Sequence, residues 1–137
     1  MGARRKGRIL AFQSLFSHDM TGTPVEDLLD FPWLDETRRS NLKNESLEFA
    51  GLIVRGTLEK IEQVDTCIKK HLEHWDFSRL NKVDLAILRI SVYCLLFQTD
   101  IPATVTIDEA IDIAKEYGTD DSYRFVNGVM DGIRKNL

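Results

Sequence analysis

The chain has 137 residues, of which 43% are hydrophobic, and its formal net charge is −4. This length and composition suit one domain over residues 1–137, and the negative charge excludes a generally basic nucleic-acid binder. No segment contains the roughly 20 apolar residues of a membrane span and no secretory signal is present, so we expect a cytoplasmic protein.

The first predicted helix, residues 4–20, is strongly basic at its amino-terminal end. Its apolar stripe recurs at spacings of three and four residues and comprises Ile9, Phe12, Leu15 and Phe16. Its cations are Arg4, Arg5, Lys6 and Arg8, and the spacing of Arg4, Arg5 and Arg8 places these three on a shared face. Because cations oppose the helix dipole here, they predict a local anion-binding patch; the alternative is a solvated helix end. Phe16 is either a stacking platform for an unpaired base or a core residue.

The middle of the chain contains two more predicted helices. A short one runs from Val25 to Leu29 after Pro24, which suits a first helical position. A long one runs from about Glu36 to His74, because apolar residues repeat at three and four residues throughout. We expect residues 76–80 to form a tight connection into the next helix.

The segment KVDLAILRISVYCLLF, residues 82–97, is apolar on every side of a helical wheel. A helix of this kind in a soluble protein is surrounded by other helices. Asn81 is placed to cap its amino terminus, and Asp84 follows three residues later. We therefore predict a central buried helix near residues 82–98.

Two helices are predicted after the central one. Thr106 and Glu109 have the spacing of a capping box and predict the start of the first, and Gly118 predicts its end. The polar run Thr119, Asp120 and Asp121 then predicts the start of the last helix. Since no segment shows strand alternation, the predicted fold class is all-α.

Catalytic and metal-binding patterns are weak in this sequence. Cys67, His71 and His74 share one helix face and could offer three metal ligands, but a structural zinc site needs four. No nucleophile–base pair and no glycine-rich phosphate loop is present. We expect no catalytic site and no cofactor, and we expect Cys67 and Cys94 to be reduced, packed thiols.

Three segments of the sequence resemble the NusB family of bacterial transcription antitermination factors. They are RRKGRILAFQSLF, VDLAILRISVYCLLF and IPATVTIDEAIDIAKEYGTDDSYRFVNGVMDGI. The resemblance spans nearly the whole chain and is most specific from IDEAIDIAKEYG to FVNGVMD. It implies an all-α fold of about seven helices in two packed bundles, and a role without catalysis.

The resemblance also implies partners and the residues that face them. NusB-like proteins pair with ribosomal protein S10 (NusE), bind single-stranded boxA RNA of ribosomal RNA leaders, and join RNA polymerase with other Nus factors. The matched RNA-facing positions are Arg4, Arg5, Lys6, Arg8, Gln13, Phe16, Asp121, Ser122, Tyr123, Arg124 and Phe125. The matched S10-facing positions are Asp84, Glu73 and His71. Some relatives form homodimers that cover the RNA surface.

Three alternatives remain open from the sequence. The first is the NusB-like RNA-binding module attached to some ribosomal RNA cytosine methyltransferases, which lacks boxA specificity. The second is a metal-dependent enzyme built on the cysteine and histidine cluster. The third is a scaffold that binds S10 or itself without RNA. For the antitermination reading, we expect the basic end of the first helix, including Arg8, and Phe125 to form one continuous strip.

Overall fold

The computed structural model describes residues 2–73 and 76–137. This part of the chain contains eight α-helices and one 3₁₀ turn, joined by short connections. No strand occurs in this part, which confirms the predicted all-α class. The elements are α1 Ala3–Thr21, α2 Val25–Leu28, α3 Glu36–Ser40, α4 Asn44–Glu59, α5 Ile61–Lys70, the 3₁₀ turn Phe77–Arg79, α6 Lys82–Phe97, α7 Ala103–Tyr117 and α8 Ser122–Lys135. None of the described helices has the length and apolar content that a bilayer-spanning segment needs.

The predicted central helix is α6, and it lies between two groups of helices. It contacts α1 and α4, which pack on each other, and it also contacts α5, α7 and α8. Ile87, Leu88 and Val92 are fully buried by these neighbours. Asn81 caps the helix as predicted, because its side-chain oxygen accepts a hydrogen bond from the Val83 N–H at 2.8 Å.

The long helix predicted from Glu36 to His74 is wrong, because this segment forms the three helices α3, α4 and α5. The second break is at Lys60, whose φ of −105° and ψ of 19° leave the helical region. The break has a packing reason: α4 lies mainly against α1, whereas α5 lies mainly against α6. One straight helix would leave part of the apolar stripe unburied. His74 lies outside the described residues.

The predicted start of α7 is also wrong. Backbone hydrogen bonding begins at the carbonyl of Pro102, which accepts from Val105 and Thr106, so the helix starts at Ala103. Thr106 is therefore inside the helix, buried, and its hydroxyl has no hydrogen-bond partner among the described residues. The sequence pattern of a capping box does not distinguish a cap from an interior threonine.

Gly118 ends α7 as predicted, but for a steric reason. Its φ of −91° and ψ of −171° are extended and accessible to any residue, so no left-handed conformation is required. A Cβ at this position would lie 2.5 Å from the Ser122 side chain, which explains the glycine. The hydroxyl of Ser122 accepts from the Thr119 N–H at 2.9 Å, and α8 begins at Ser122. The side chain of Asp121 forms no cap hydrogen bond.

The basic end of α1 is held closely against α4. The hydroxyl of Ser46 donates to the carbonyl of Ala3 at 2.6 Å. A Cβ on Gly7 would lie 2.8 Å from the carbonyl oxygen of Ser46 and 3.1 Å from the Phe49 ring. Since only glycine fits this approach, Gly7 fixes how closely the two helices pack.

Candidate nucleic-acid interface

Two of the predicted cations of α1 lie over one aromatic ring of α4. The guanidinium carbons of Arg4 and Arg8 are 5.3 and 5.1 Å from the centroid of the Phe49 ring, which is cation–π geometry. Arg8 is only 6% exposed, and burial lowers its pKa. The Arg4 side chain is 59% exposed and has one long ion pair, 3.9 Å to Glu45. Arg4 is available to a ligand, whereas Arg8 holds α1 to α4.

Arg5 extends to the opposite side, toward α7. Its Nε donates to Glu109 at 2.8 Å, and its Nη2 donates to Asp112 at 2.6 Å. These carboxylates raise the pKa of Arg5. The predicted shared face is therefore wrong, because Arg4 and Arg8 extend toward α4 and Arg5 extends toward α7. Contact between Arg5 and RNA stays a prediction, and it requires the guanidinium to leave two carboxylates or to use its remaining donors.

Lys6 and Gln13 line a cleft of about 190 Å³ between α1, α3 and α7. The Gln13 carbonyl oxygen accepts from the Trp33 indole N–H at 3.1 Å, which fixes the amide. Arg38 of α3 and Tyr117 at the end of α7 line the same cleft, although the sequence analysis did not select them. Arg38 lies in the segment where the family resemblance is weakest, so only the packing of α3 brings it here.

Phe16 is half-buried and packs against the core. Its ring centroid is 6.4 Å from that of Phe12, with the ring planes tilted by 37°. This partial burial is compatible with both interpretations from the sequence, a core residue and a stacking platform. Part of the side chain packs in the core, and part of it is open to solvent.

The start of α8 presents an aromatic ring that is in contact with two cations. The Tyr123 ring lies 5.1 Å from the Lys115 ammonium and 5.4 Å from the Arg124 guanidinium. The Nε of Arg124 also donates to the Tyr123 hydroxyl at 3.1 Å, and its Nη1 lies 3.9 Å from Asp121. Asp121 and Arg124 are exposed, whereas Ser122 is buried. Lys115 was not selected from the sequence, because its place beside Tyr123 depends on the turn between α7 and α8.

Phe125 and its neighbour Arg124 line a groove of about 1200 Å³ between α5 and α8. The predicted S10-facing residues His71 and Glu73 line the same groove. Arg8 is buried, so it is not an exposed member of the expected strip from the basic end of α1 to Phe125. Continuity between the other residues of that strip stays a prediction. His71 itself is held at both ring nitrogens: Nδ1 donates to the Cys67 carbonyl at 2.9 Å, and Nε2 accepts from the Asn136 amide at 2.9 Å.

Asp84 lies inside the protein, at the junction of α6 and α8. It is only 8% exposed, and its Oδ1 has no hydrogen-bond partner among the described residues. Burial raises the pKa of Asp84, and a hydrogen bond with Ser122 opposes this shift. Direct contact between Asp84 and S10 stays a prediction. In the structure, this carboxyl supports the first turn of α8.

The cysteines form no disulfide: Cys67 is half-buried and Cys94 is buried, and both are free thiols. Burial raises the pKa of Cys94 to about 11. Among residues 2–73 and 76–137, no three histidine, cysteine or carboxylate side chains group as metal ligands. His74, the third member of the predicted cluster, lies outside these ranges.

Comparisons with known proteins cover the whole chain. A model of the NusB family matches residues 5–135. The transcription antitermination protein NusB of Treponema pallidum is 54% identical over 133 residues, 97% of this chain and 93% of that protein. That of Geobacter sulfurreducens is 45% identical over 137 residues, 100% of this chain and 97% of that protein.

Solved structures of NusB proteins are also similar to this chain. T. maritima NusB superposes with a TM-score of 0.85 at 43% identity, covering 96% of this chain and 90% of that one. A NusB solved with NusE and double-stranded RNA superposes with a TM-score of 0.86 at 29% identity, covering 100% and 99%. The family model and these relatives cover nearly the whole chain, and the chain belongs to the NusB family.

Proposed function

We propose that this protein is a transcription antitermination factor of the bacterial cytoplasm. It pairs with ribosomal protein S10 (NusE), binds boxA-type single-stranded RNA in ribosomal RNA leaders, and helps RNA polymerase and other Nus factors to resist premature termination. The role involves binding only, without catalysis or a cofactor. The observation that carries the proposal is the whole-chain likeness to a NusB solved with NusE and RNA.

The distribution of charge supports an RNA site of limited strength. The net charge of the chain is −4, yet the ends of α1 and α8 present the exposed cations Arg4 and Arg124. Tyr123 adds an aromatic ring beside two cations. Few phosphate contacts give weak binding to a single strand, because each contact contributes through the release of counterions. Stacking on aromatic side chains tolerates different bases and adds affinity.

The same charge distribution supports a basic partner. An acidic protein repels RNA outside its cationic ends, and a basic ribosomal protein alongside would extend the positive surface. We therefore expect S10 to tighten RNA binding and RNA to tighten S10 binding by the same factor, since coupling between two ligands is reciprocal.

The test is a fluorescence titration of labelled single-stranded boxA-type RNA with the protein alone, with S10 alone, and with both. A scrambled RNA of equal length is the control for sequence preference. We expect modest affinity for the protein alone and tighter, sequence-dependent binding for the pair. Equal affinity with and without S10 contradicts the linkage. Equal affinity for the scrambled RNA favours the alternative, a NusB-like RNA-binding module without boxA specificity.

A further inference from the structure

The cleft between α1, α3 and α7 has the composition of a nucleotide site. Its lining includes the cations Lys6 from α1 and Arg38 from α3, and Tyr117 at the end of α7. Apolar side chains of Leu34 and Leu42 complete the wall. Its volume of about 190 Å³ lies below the roughly 300–1,000 Å³ of pockets for drug-sized ligands, so it suits a smaller group. We call it the α1–α3–α7 cleft.

Tyr117 is placed to stack on a base. It is 37% exposed, one of the few large hydrophobic side chains of the described residues that remain so open. Its inner side is supported by Phe12, whose ring centroid lies 5.3 Å away with the planes tilted by 49°. An aromatic ring that is supported from below and open above offers a stacking surface with little conformational freedom left to lose.

The cations of the cleft have no carboxylate partner. Neither Lys6 nor Arg38 forms an ion pair within the described part of the chain, in contrast to Arg5, which is held by Glu109 and Asp112. Arg38 lies near enough to Tyr117 for its charge to act on the phenol, where it opposes the larger effect of burial that raises the Tyr117 pKa. A guanidinium beside an aromatic ring can pair with the phosphate of a nucleotide whose base stacks on that ring.

Two further groups in the cleft can read the base edge. The Trp33 indole occupies the carbonyl oxygen of Gln13, so the amide nitrogen is the group that remains to donate. Glu116 also lines the cleft, where its carboxylate is hydrogen-bonded to Tyr117 and keeps further acceptor capacity. A carboxylate next to RNA is unfavourable toward phosphate, but it accepts a hydrogen bond from an exocyclic amino group, as occurs with cytosine N4.

We propose that the α1–α3–α7 cleft binds one unpaired nucleotide of the RNA strand, with its base on Tyr117 and its phosphate paired with Arg38 and Lys6. This inference rests on the proposed function, because Lys6 and Gln13 are already predicted to face RNA. It adds a site formed by α3 and the end of α7, so that the strand continues along the side of α1 beyond its basic tip.

The test compares the variants Tyr117→Ala, Tyr117→Phe and Arg38→Ala with the wild type, using the S10 complex and labelled single-stranded boxA-type RNA. We expect Tyr117→Ala to weaken binding about five- to 150-fold, the range for loss of one base–aromatic stack, and Tyr117→Phe to bind nearly as the wild type. Arg38→Ala should lower the slope of log affinity against log salt by about 0.7, the value for one single-strand phosphate contact.

The matched control is Arg134→Ala, which removes an exposed arginine from the last turn of α8, away from the cleft lining. It changes the net charge as Arg38→Ala does and should not change the salt slope beyond the long-range effect of one charge. A 2-aminopurine scan along the RNA supplies a second readout. We expect one position to be quenched by the wild type and by Tyr117→Phe but not by Tyr117→Ala.

The outcomes separate this inference from the proposed function. If the wild-type complex does not bind boxA-type RNA, the proposed function is wrong and the cleft has no RNA to bind. If the wild type binds but Tyr117→Ala or Arg38→Ala binds with unchanged affinity and salt slope, the function stands and the cleft assignment is overturned. Circular dichroism of each variant verifies the fold, and Arg38→Ala alters only an exposed side chain.

Discussion

The amino-terminal ends of α1 and α8 are both predicted to face RNA, yet they use their charges differently. In α1, Arg8 is buried against Phe49, and Arg5 is bound by two carboxylates of α7. In α8, Arg124 stays exposed beside Tyr123. The α1 end is therefore partly a structural junction, whereas the α8 end is a surface feature.

This difference shows that a row of cations in sequence is not a row of phosphate contacts. An arginine can supply packing through its aliphatic stem, a cation–π contact, or an ion pair, and each use withdraws its charge from a ligand. The number of free cations at a site follows from burial and partners. Three predictions sharpen the comparison.

Arg8→Ala should have the largest effect, and on stability. We expect a loss of about 2–3 kcal/mol in the free energy of unfolding, because the buried stem and its contact with Phe49 are removed and a cavity remains. Arg8→Met should lose less, since it fills much of the same space without a buried charge. Arg4→Ala, at the exposed side of the same ring, should change stability by no more than about 0.5 kcal/mol. Urea unfolding measures all three, and equal midpoints for Arg8→Ala and Arg4→Ala would contradict the structural role.

Asp84→Asn, below the first turn of α8, should have an intermediate effect of the opposite sign. Its carboxylate is buried with one oxygen unpartnered, and an amide keeps an acceptor for Ser122 without the buried charge. We expect a gain of about 1 kcal/mol at neutral pH, because the variant removes a buried charge. The gain stays small because the amide still leaves one buried polar atom without a partner.

The gain in stability from Asp84→Asn should depend on pH. Burial raises the folded-state pKa of Asp84 above the ordinary 3.8, so the folded protein binds the proton more tightly than the unfolded chain. The ionised Asp84 carboxylate destabilises the folded protein above its folded-state pKa, and this destabilisation is lost as the pH falls through that pKa. The stability difference between the variant and the wild type should therefore shrink toward pH 3.8. The exposed Asp108→Asn is the control, and a difference that is constant with pH would remove Asp84 as its source.

Release of Arg5 should have the smallest effect, on RNA binding. In the double variant Glu109→Gln with Asp112→Asn, the guanidinium loses both carboxylates and becomes available to phosphate. We expect the salt slope of RNA binding to steepen by about 0.7, the value for one single-strand contact. The control Glu59→Gln with Asp108→Asn changes the net charge equally at exposed positions. If both doubles steepen the slope equally, net charge explains the change and Arg5 is not restrained by its partners.

The sequence predicted the elements whose signals are local. The all-round apolar pattern and Asn81 predicted α6 correctly, because burial and capping are both encoded within that helix. The break at Lys60 was missed, because it follows from α4 and α5 packing against different helices. Thr106 and Glu109 fit the local motif of a cap, whereas the start of α7 depends on Pro102.

The predicted binding residues also divide into those that the sequence indicates and those that only the packing of the helices brings together. The resemblance supplied the cations of α1, but only the packing of α4 and α7 shows which remain free. Arg38 and Tyr117 are 79 positions apart in the sequence, and no periodicity connects them. They meet beside Gln13 because three helices pack together. Asp84 is buried for a similar reason, because α8 packs against α6.

The contact of Gly7 with the Ser46 carbonyl has one more consequence. Because α1 is pressed onto α4 up to its first turn, the exposed Arg4 projects from a continuous helix rather than from a flexible tail. The entropy of ordering this backbone is lost when the protein folds, and capture of a transcript does not incur it again. A larger residue at Gly7 would push the first turn of α1 away from α4. Arg4 would then project from a mobile segment, and RNA binding would weaken because that segment must be ordered on binding.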